Sequence, residues 1–226
     1  MWRHPSLLTE WALFQFESCA EFSDLQADII HNLATQPVGT DMMPTNGLSY
    51  YRINRNLDVV QFNHYHGMGN LTEAVFWFDW CRPIRERPFW NTETMTCWGG
   101  GVAPSGYNEK GFCTVNSRLP IALGGEMNLY WLWRAHWSGQ ELMHGSVVSS
   151  HGRPLYIFDE VREISRGFDK AAELINNTRP KQSGIGIHFS HFAWHFFSCQ
   201  PLENGFNYWR LYSDVKLSPP ARPESG

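Results

Sequence analysis

Four times between residues 38 and 177, a short apolar or aromatic run is followed by a polar or glycine-rich loop and then by sequence with helical period, and no tight hairpin signal intervenes. Strands without hairpins between them must be joined by crossovers, which makes them parallel neighbours with helices laid over the sheet. The strand-like runs are residues 38–43, 58–63, 88–93 and 126–133. The helical patterns that follow are a short one at 50–56 and longer ones at 71–86, 112–123 and 158–177. Ahead of all four, residues 6–34 place Leu13, Phe16, Ala20, Leu25, Ile29 and Leu33 at roughly helical spacing, with Thr9-Glu10 as the opening signal and Pro37 as the stop. Polar and aromatic residues gather just after each run: Asp41, then 63–66, 93–98 and 134–144. In a (β/α)8 barrel that is the catalytic rim. A whole barrel needs eight strands and about 250 residues. Four readable strands therefore predict an α/β fold that is half of a TIM barrel.

Residues 1–178 form that half-barrel in this reading. Arg179-Pro180 then breaks the chain, and residues 184–189 read as the first strand of a second α/β domain spanning 179–216. Residues 217–226, rich in proline, serine and charge, are expected to be a disordered tail. A net charge of −4 offers no basic field for nucleic acid or an anionic bilayer. Every long apolar run carries a charged residue or a histidine within a helix length, so no membrane span is expected. The five cysteines are odd in number, widely spaced and free of any C-x-x-C pair, which argues against a disulfide framework or thiolate zinc and for a reducing compartment, the cytoplasm. Eleven tryptophans suit either a large aromatic core or platforms for the apolar faces of sugars.

Three clusters carry possible chemistry. Glu93 closes the third strand-like run among Phe89, Trp90 and Trp98. A carboxylate there can attack an anomeric carbon, or merely serve an ion pair on the rim. Glu141 and His144, three residues apart, fall on one side of a single helical turn and suit a pair of vicinal hydroxyls. Tyr65, in the cluster 63–66, can donate to a nucleophilic carboxylate or simply pack. His188, His191 and His195 are read as core or interface residues, since no H-E-x-x-H anchor accompanies them, and no metal or other cofactor is expected.

These motifs resemble those of glycoside hydrolase family 42 β-galactosidases. The resemblance rests on Pro88-Phe89-Trp90-Asn91-Thr92-Glu93, on the segment from Gly111 to Ser117, and on Trp133-Arg134 through Gly139-Gln140-Glu141-Leu142-Met143-His144-Gly145. Residues 57–65 and the opening His4-Pro5-Ser6-Leu7 fit the same pattern. It implies strands five to eight of a retaining barrel hydrolase for terminal β-D-galactosides. Glu93 would be the nucleophile, Tyr65 the tyrosine beside it, Trp98 a subsite aromatic, and Glu141 and His144 the pair that holds galactose hydroxyls. Asp41 is a weaker match. The resemblance further implies a homotrimer, although the trimer-forming domain would stop near its beginning here. The family's acid/base belongs to an upstream Asn-Glu pair, whereas the pair in this chain, Asn108-Glu109, lies downstream of Glu93. A fragment without its acid/base is therefore expected, with an inactive remnant or weak galactoside-binding protein as the alternative.

Overall fold

The computed structural model describes residues 4–43, 47–100, 104–181, 184–200 and 208. Helix α1, Pro5–Leu33, begins a turn before the Thr9-Glu10 signal. Proline suits a first helical turn, where its missing N–H would have no partner, and the Thr9 hydroxyl bonds back to the Pro5 carbonyl at 3.0 Å. The α1 residues expected to share one buried face divide in two. Ala20 is buried and Leu13 and Phe16 partly so, whereas Leu25, Ile29 and Leu33 join Leu7, Trp11, Phe14 and Phe22 on an exposed apolar stripe.

Residues 38–43, the first expected strand, run extended beside the next strand without forming a ladder. Val38 O accepts from Asp58 N at 2.8 Å, and Met42 O accepts from Asn63 N at 3.1 Å. Between those ends, side chains make the connection: Asp41 accepts from Asn63 and Thr92. Gly39 permits the close approach, because a Cβ there would lie 2.7 Å from the Val59 side chain. A short helix α2, Tyr50–Ile53, follows, with Ser49 Oγ accepting from Arg52 N. Arg52 ties it to α1 through Glu17 and Asp24.

The sheet is parallel and three-stranded, in the order β1 (Val60–Asn63), β2 (Phe89–Thr94), β5 (Met127–Tyr130). Helix α3, Leu71–Cys81, crosses from β1 to β2 and stops short of the expected residue 86. Arg85 and Glu86 take positive φ there, which no α-helix admits. A two-residue antiparallel ladder, β3 (Gly99–Gly100) with β4 (Pro104–Ser105), precedes α4, Phe112–Ala122. The core lies between sheet and helices, where Val60, Phe62 and Phe89 meet Phe78, Ala74 and Phe112. Helix α5, Phe158–Asn177, covers α4 with Ile164 and, through Glu160, accepts hydrogen bonds from Gly111 N, Thr114 N and Thr114 Oγ1. That carboxylate occupies the electropositive start of α4.

Residues 184–189 form no strand, contrary to the sequence expectation. Gly184 sits at φ +77°, and Gly186 leaves a second position without a side chain to pack. Helix α6, His191–Cys199, follows and packs on α1: His195 stacks on Phe16, with ring centroids 4.1 Å apart, and its Nε2 lies 2.7 Å from Gly47 O. The expected tail at 217–226 lies outside the described residues, as does nearly all of 201–216.

Candidate active site

Strand β2 ends where its ladders lose register. The shift against β1 falls between Phe62 and Asn63, and the shift against β5 between Asn91 and Thr94, so Glu93 stands opposite Asn63 at the irregularity. Such breaks bend a strand and re-aim its side chains. Glu93 Oε1 accepts the Tyr65 hydroxyl at 2.5 Å. The loop that carries Tyr65 is tied to the same residue, since His64 N donates to Glu93 O at 3.1 Å. Burial, and then the Glu93 carboxylate, push the Tyr65 phenol far above its usual range. It remains a donor at any ordinary pH.

A cleft of about 340 Å³ opens over this pair, lined by Tyr65, Glu93, Met95, Gly99, Gly100, Gly106, Glu141 and His144. Tyr65, Glu93, Glu141 and His144, all singled out in the sequence, thus meet in one place. The loop after β5 brings the last two by folding back on itself. Trp131 N donates to Thr94 O at 2.8 Å, Leu132 N to Gly145 O at 3.2 Å, and Gly145 N to Trp98 O at 3.1 Å. The expected helical turn at 141–144 is a single tight turn, closed by His144 N to Glu141 O at 3.1 Å. Both side chains still face the cleft. His144 meets Tyr65 edge to face at 5.4 Å. Burial lowers its imidazole pKa, outweighing its backbone contact with Gly145 and the pull of Glu141 and Glu93. A neutral imidazole presents one donor and one acceptor. Glu141 is exposed, and its Oε2 accepts from Trp131 Nε1 at 3.0 Å.

Trp98 does not line this cleft. Its indole donates to Met143 O at 2.8 Å, and its ring stacks with Tyr107 and Tyr156, forming an aromatic wall alongside. Asp41 lies outside it too, held by Thr92 Oγ1 and by Asn63 Nδ2 at 2.8 Å. His64, grouped with the rim in the sequence, is a core residue 3% exposed, with its ring edge-on to Phe78. Asn108 is buried and structural: Oδ1 accepts from Met68 N, and Nδ2 donates to Cys97 O and Gly106 O. Its neighbour Glu109 is exposed and does not line the cleft. Among the described residues, no group of three histidines, cysteines or carboxylates is disposed to hold a metal. Trp131, Met95 and the glycine roof escaped sequence reasoning. The Gly99-Gly100 pair was the one available signal, as bare backbone that a ligand can approach closely.

A carboxylate fixed by a permanent donor, across a cleft from a second carboxylate and a neutral imidazole, can attack an electrophilic carbon while neighbouring hydroxyls are held. The sequence profile of glycoside hydrolase family 42, described as β-galactosidase, matches residues 1–171. The chain belongs to this family. β-Galactosidase YesZ of Bacillus subtilis is 30% identical over 200 residues, covering 88% of this chain and 30% of that protein. YesZ of Bacillus licheniformis is 28% identical over 213 residues, covering 93% and 32%. The fold matches the solved β-galactosidase of Rahnella sp. R3 with a TM-score of 0.83 at 19% identity, over 94% of this chain and 33% of that one. The enzyme from Halorubrum lacusprofundi gives 0.78 at 21%, over 96% and 35%. The parallel sheet and its helices are thus part of a (β/α)8 barrel, and the chain spans about a third of the length of these relatives. No helix among the described residues is long and apolar enough to cross a membrane.

Proposed function

We propose that this chain supplies the nucleophile side of a retaining β-galactosidase acting on terminal β-D-galactosides. The bond between Tyr65 and Glu93, inside a cleft walled by Glu141 and His144, carries the reading. One Glu93 oxygen forms a bond to the anomeric carbon as the glycosidic C–O bond breaks, and the departing oxygen takes a proton from a general acid. Water then cleaves the galactosyl ester, and configuration is retained. Tyr65 holds the carboxylate in place, Glu141 and His144 take sugar hydroxyls, and Trp98 supplies an aromatic face for a subsite beside the cleft. We assign the general acid to none of the described residues, because Asn108 is a buried tie and Glu109 does not line the cleft. Its loss alone slows ordinary substrates by roughly 10²–10⁴-fold. The free thiols of all five cysteines support a cytoplasmic setting. Trimer formation is proposed only from the family resemblance.

The test is incubation with 2,4-dinitrophenyl 2-deoxy-2-fluoro-β-D-galactoside, whose leaving group departs without a proton. A covalent adduct mapped to Glu93, and lost in Glu93→Gln, is expected. A chain that binds galactosides without forming the adduct is a galactoside-binding protein instead, and the nucleophile assignment fails.

A further inference from the structure

Glu141 sits on an exposed turn with a long side chain, which by itself gives poor positional control over a sugar hydroxyl. One residue corrects this. Trp131 N donates to Thr94 O at 2.8 Å, which fastens the Trp131 backbone to the strand end next to Glu93. Thr94 is fully buried, and its hydroxyl accepts from Asn116 Nδ2 at 2.9 Å, so the anchor point is itself fixed. From there the indole Nε1–H reaches Glu141 Oε2 at 3.0 Å. The Trp131 ring also packs against His136, at 5.7 Å between centroids. An indole has two side-chain torsions and a single donor, so it costs little entropy to hold still and can bond only through that edge.

We infer that Trp131 is a positioning residue that sets the Glu141 carboxylate at a fixed place relative to Glu93 and thereby governs which sugar hydroxyls the cleft accepts. Oε2 faces the indole and lies 4.0 Å from His136 Nε2, so Oε1 is the freer oxygen to accept from a hydroxyl. A carboxylate so oriented discriminates between sugars that differ in the configuration of one hydroxyl, because the wrong epimer leaves a polar group unpaired. The inference rests on Glu141 being a sugar-binding residue, as proposed above.

The experiment is an NMR titration of the chain with methyl β-D-galactoside and methyl β-D-glucoside. Wild type, Trp131→Phe, Glu141→Ala and the double variant are compared. Trp131→Phe keeps the ring and removes only the donor. It is expected to weaken galactoside binding about tenfold, to narrow the preference over glucoside, and to add nothing in the Glu141→Ala background. Unchanged binding in Trp131→Phe, or an equal loss in both backgrounds, overturns the inference and leaves the functional reading standing. Galactoside binding that is absent in wild type, or indifferent to Glu141→Ala, overturns both. If Glu141→Ala binds too weakly to titrate, the Trp131 indole proton resonance decides. It is expected to shift under saturating galactoside, and an unmoved resonance rejects the inference.

Discussion

A histidine behind the cleft shows what burial does to a single side chain. His64 packs among Phe62 and Phe78, and desolvation, aided by the nearby His66, brings its imidazole down to about 3. The unfolded value is about 6.5, so below that pH the unfolded chain binds a proton that the folded chain refuses. Stability from this site is complete above pH 6.5 and falls as pH drops toward 3, by about 2 kcal/mol at pH 5. His191, lowered to about 4 by burial, adds to the same slope. Denaturant unfolding from pH 7 to pH 5 is expected to show the loss, with a shallower slope in His64→Phe. At the cleft, Tyr65→Phe is expected to leave the fold in place and to slow labelling of Glu93 by the fluorinated galactoside about tenfold or more, read by intact mass. Glu93, Glu141 and His144 were legible in the sequence because each stands beside other polar or aromatic residues at the end of a strand-like run. The ties made by Trp131 and Asn108 were not. Their bonds join residues 10 and 40 positions apart, and such ties leave no periodic trace.

Among the elements, the parallel order of β1, β2 and β5 was legible because their apolar runs are bounded by turn residues and separated by helical lengths of chain. The stretch 38–43 is also a short, partly apolar run bounded by turn residues yet makes no ladder, since pairing belongs to both partners and its hydrogen bonds form only at the ends. Residues 184–189 failed as a strand for a related reason: alternation alone supplies no edge to pair with. The start of α4 depends on another element. Gly111 precedes it without a capping side chain of its own, and Glu160 of α5 takes the free N–H groups instead. Glu160→Ala is therefore expected to cost about 1–2 kcal/mol in unfolding free energy, with Glu160→Gln losing less. Chemical denaturation of the three proteins checks this.

For the molecule as a whole, the outward stripe of α1 matters most. Leu7, Trp11, Phe14, Phe22, Leu25, Ile29 and Leu33 are each more than half exposed along a helix of 29 residues. Apolar patches of that extent promote association in water. The purified chain is expected to sediment as several species and to bind an environment-sensitive dye, and Trp11→Glu with Phe22→Glu is expected to reduce both signals. Within the fold, two loops that flank the cleft touch at Gly145. A Cβ at that position would stand 2.7 Å from Cys97 Sγ and 2.8 Å from Trp98 O. The spacing between the turn that bears His144 and the strand extension that follows Glu93 is thus set by a hydrogen atom where any other residue has carbon. Even an alanine there would act as a wedge, prising the wall that bears His144 away from the strand end that bears Glu93 while leaving every side chain of the cleft present.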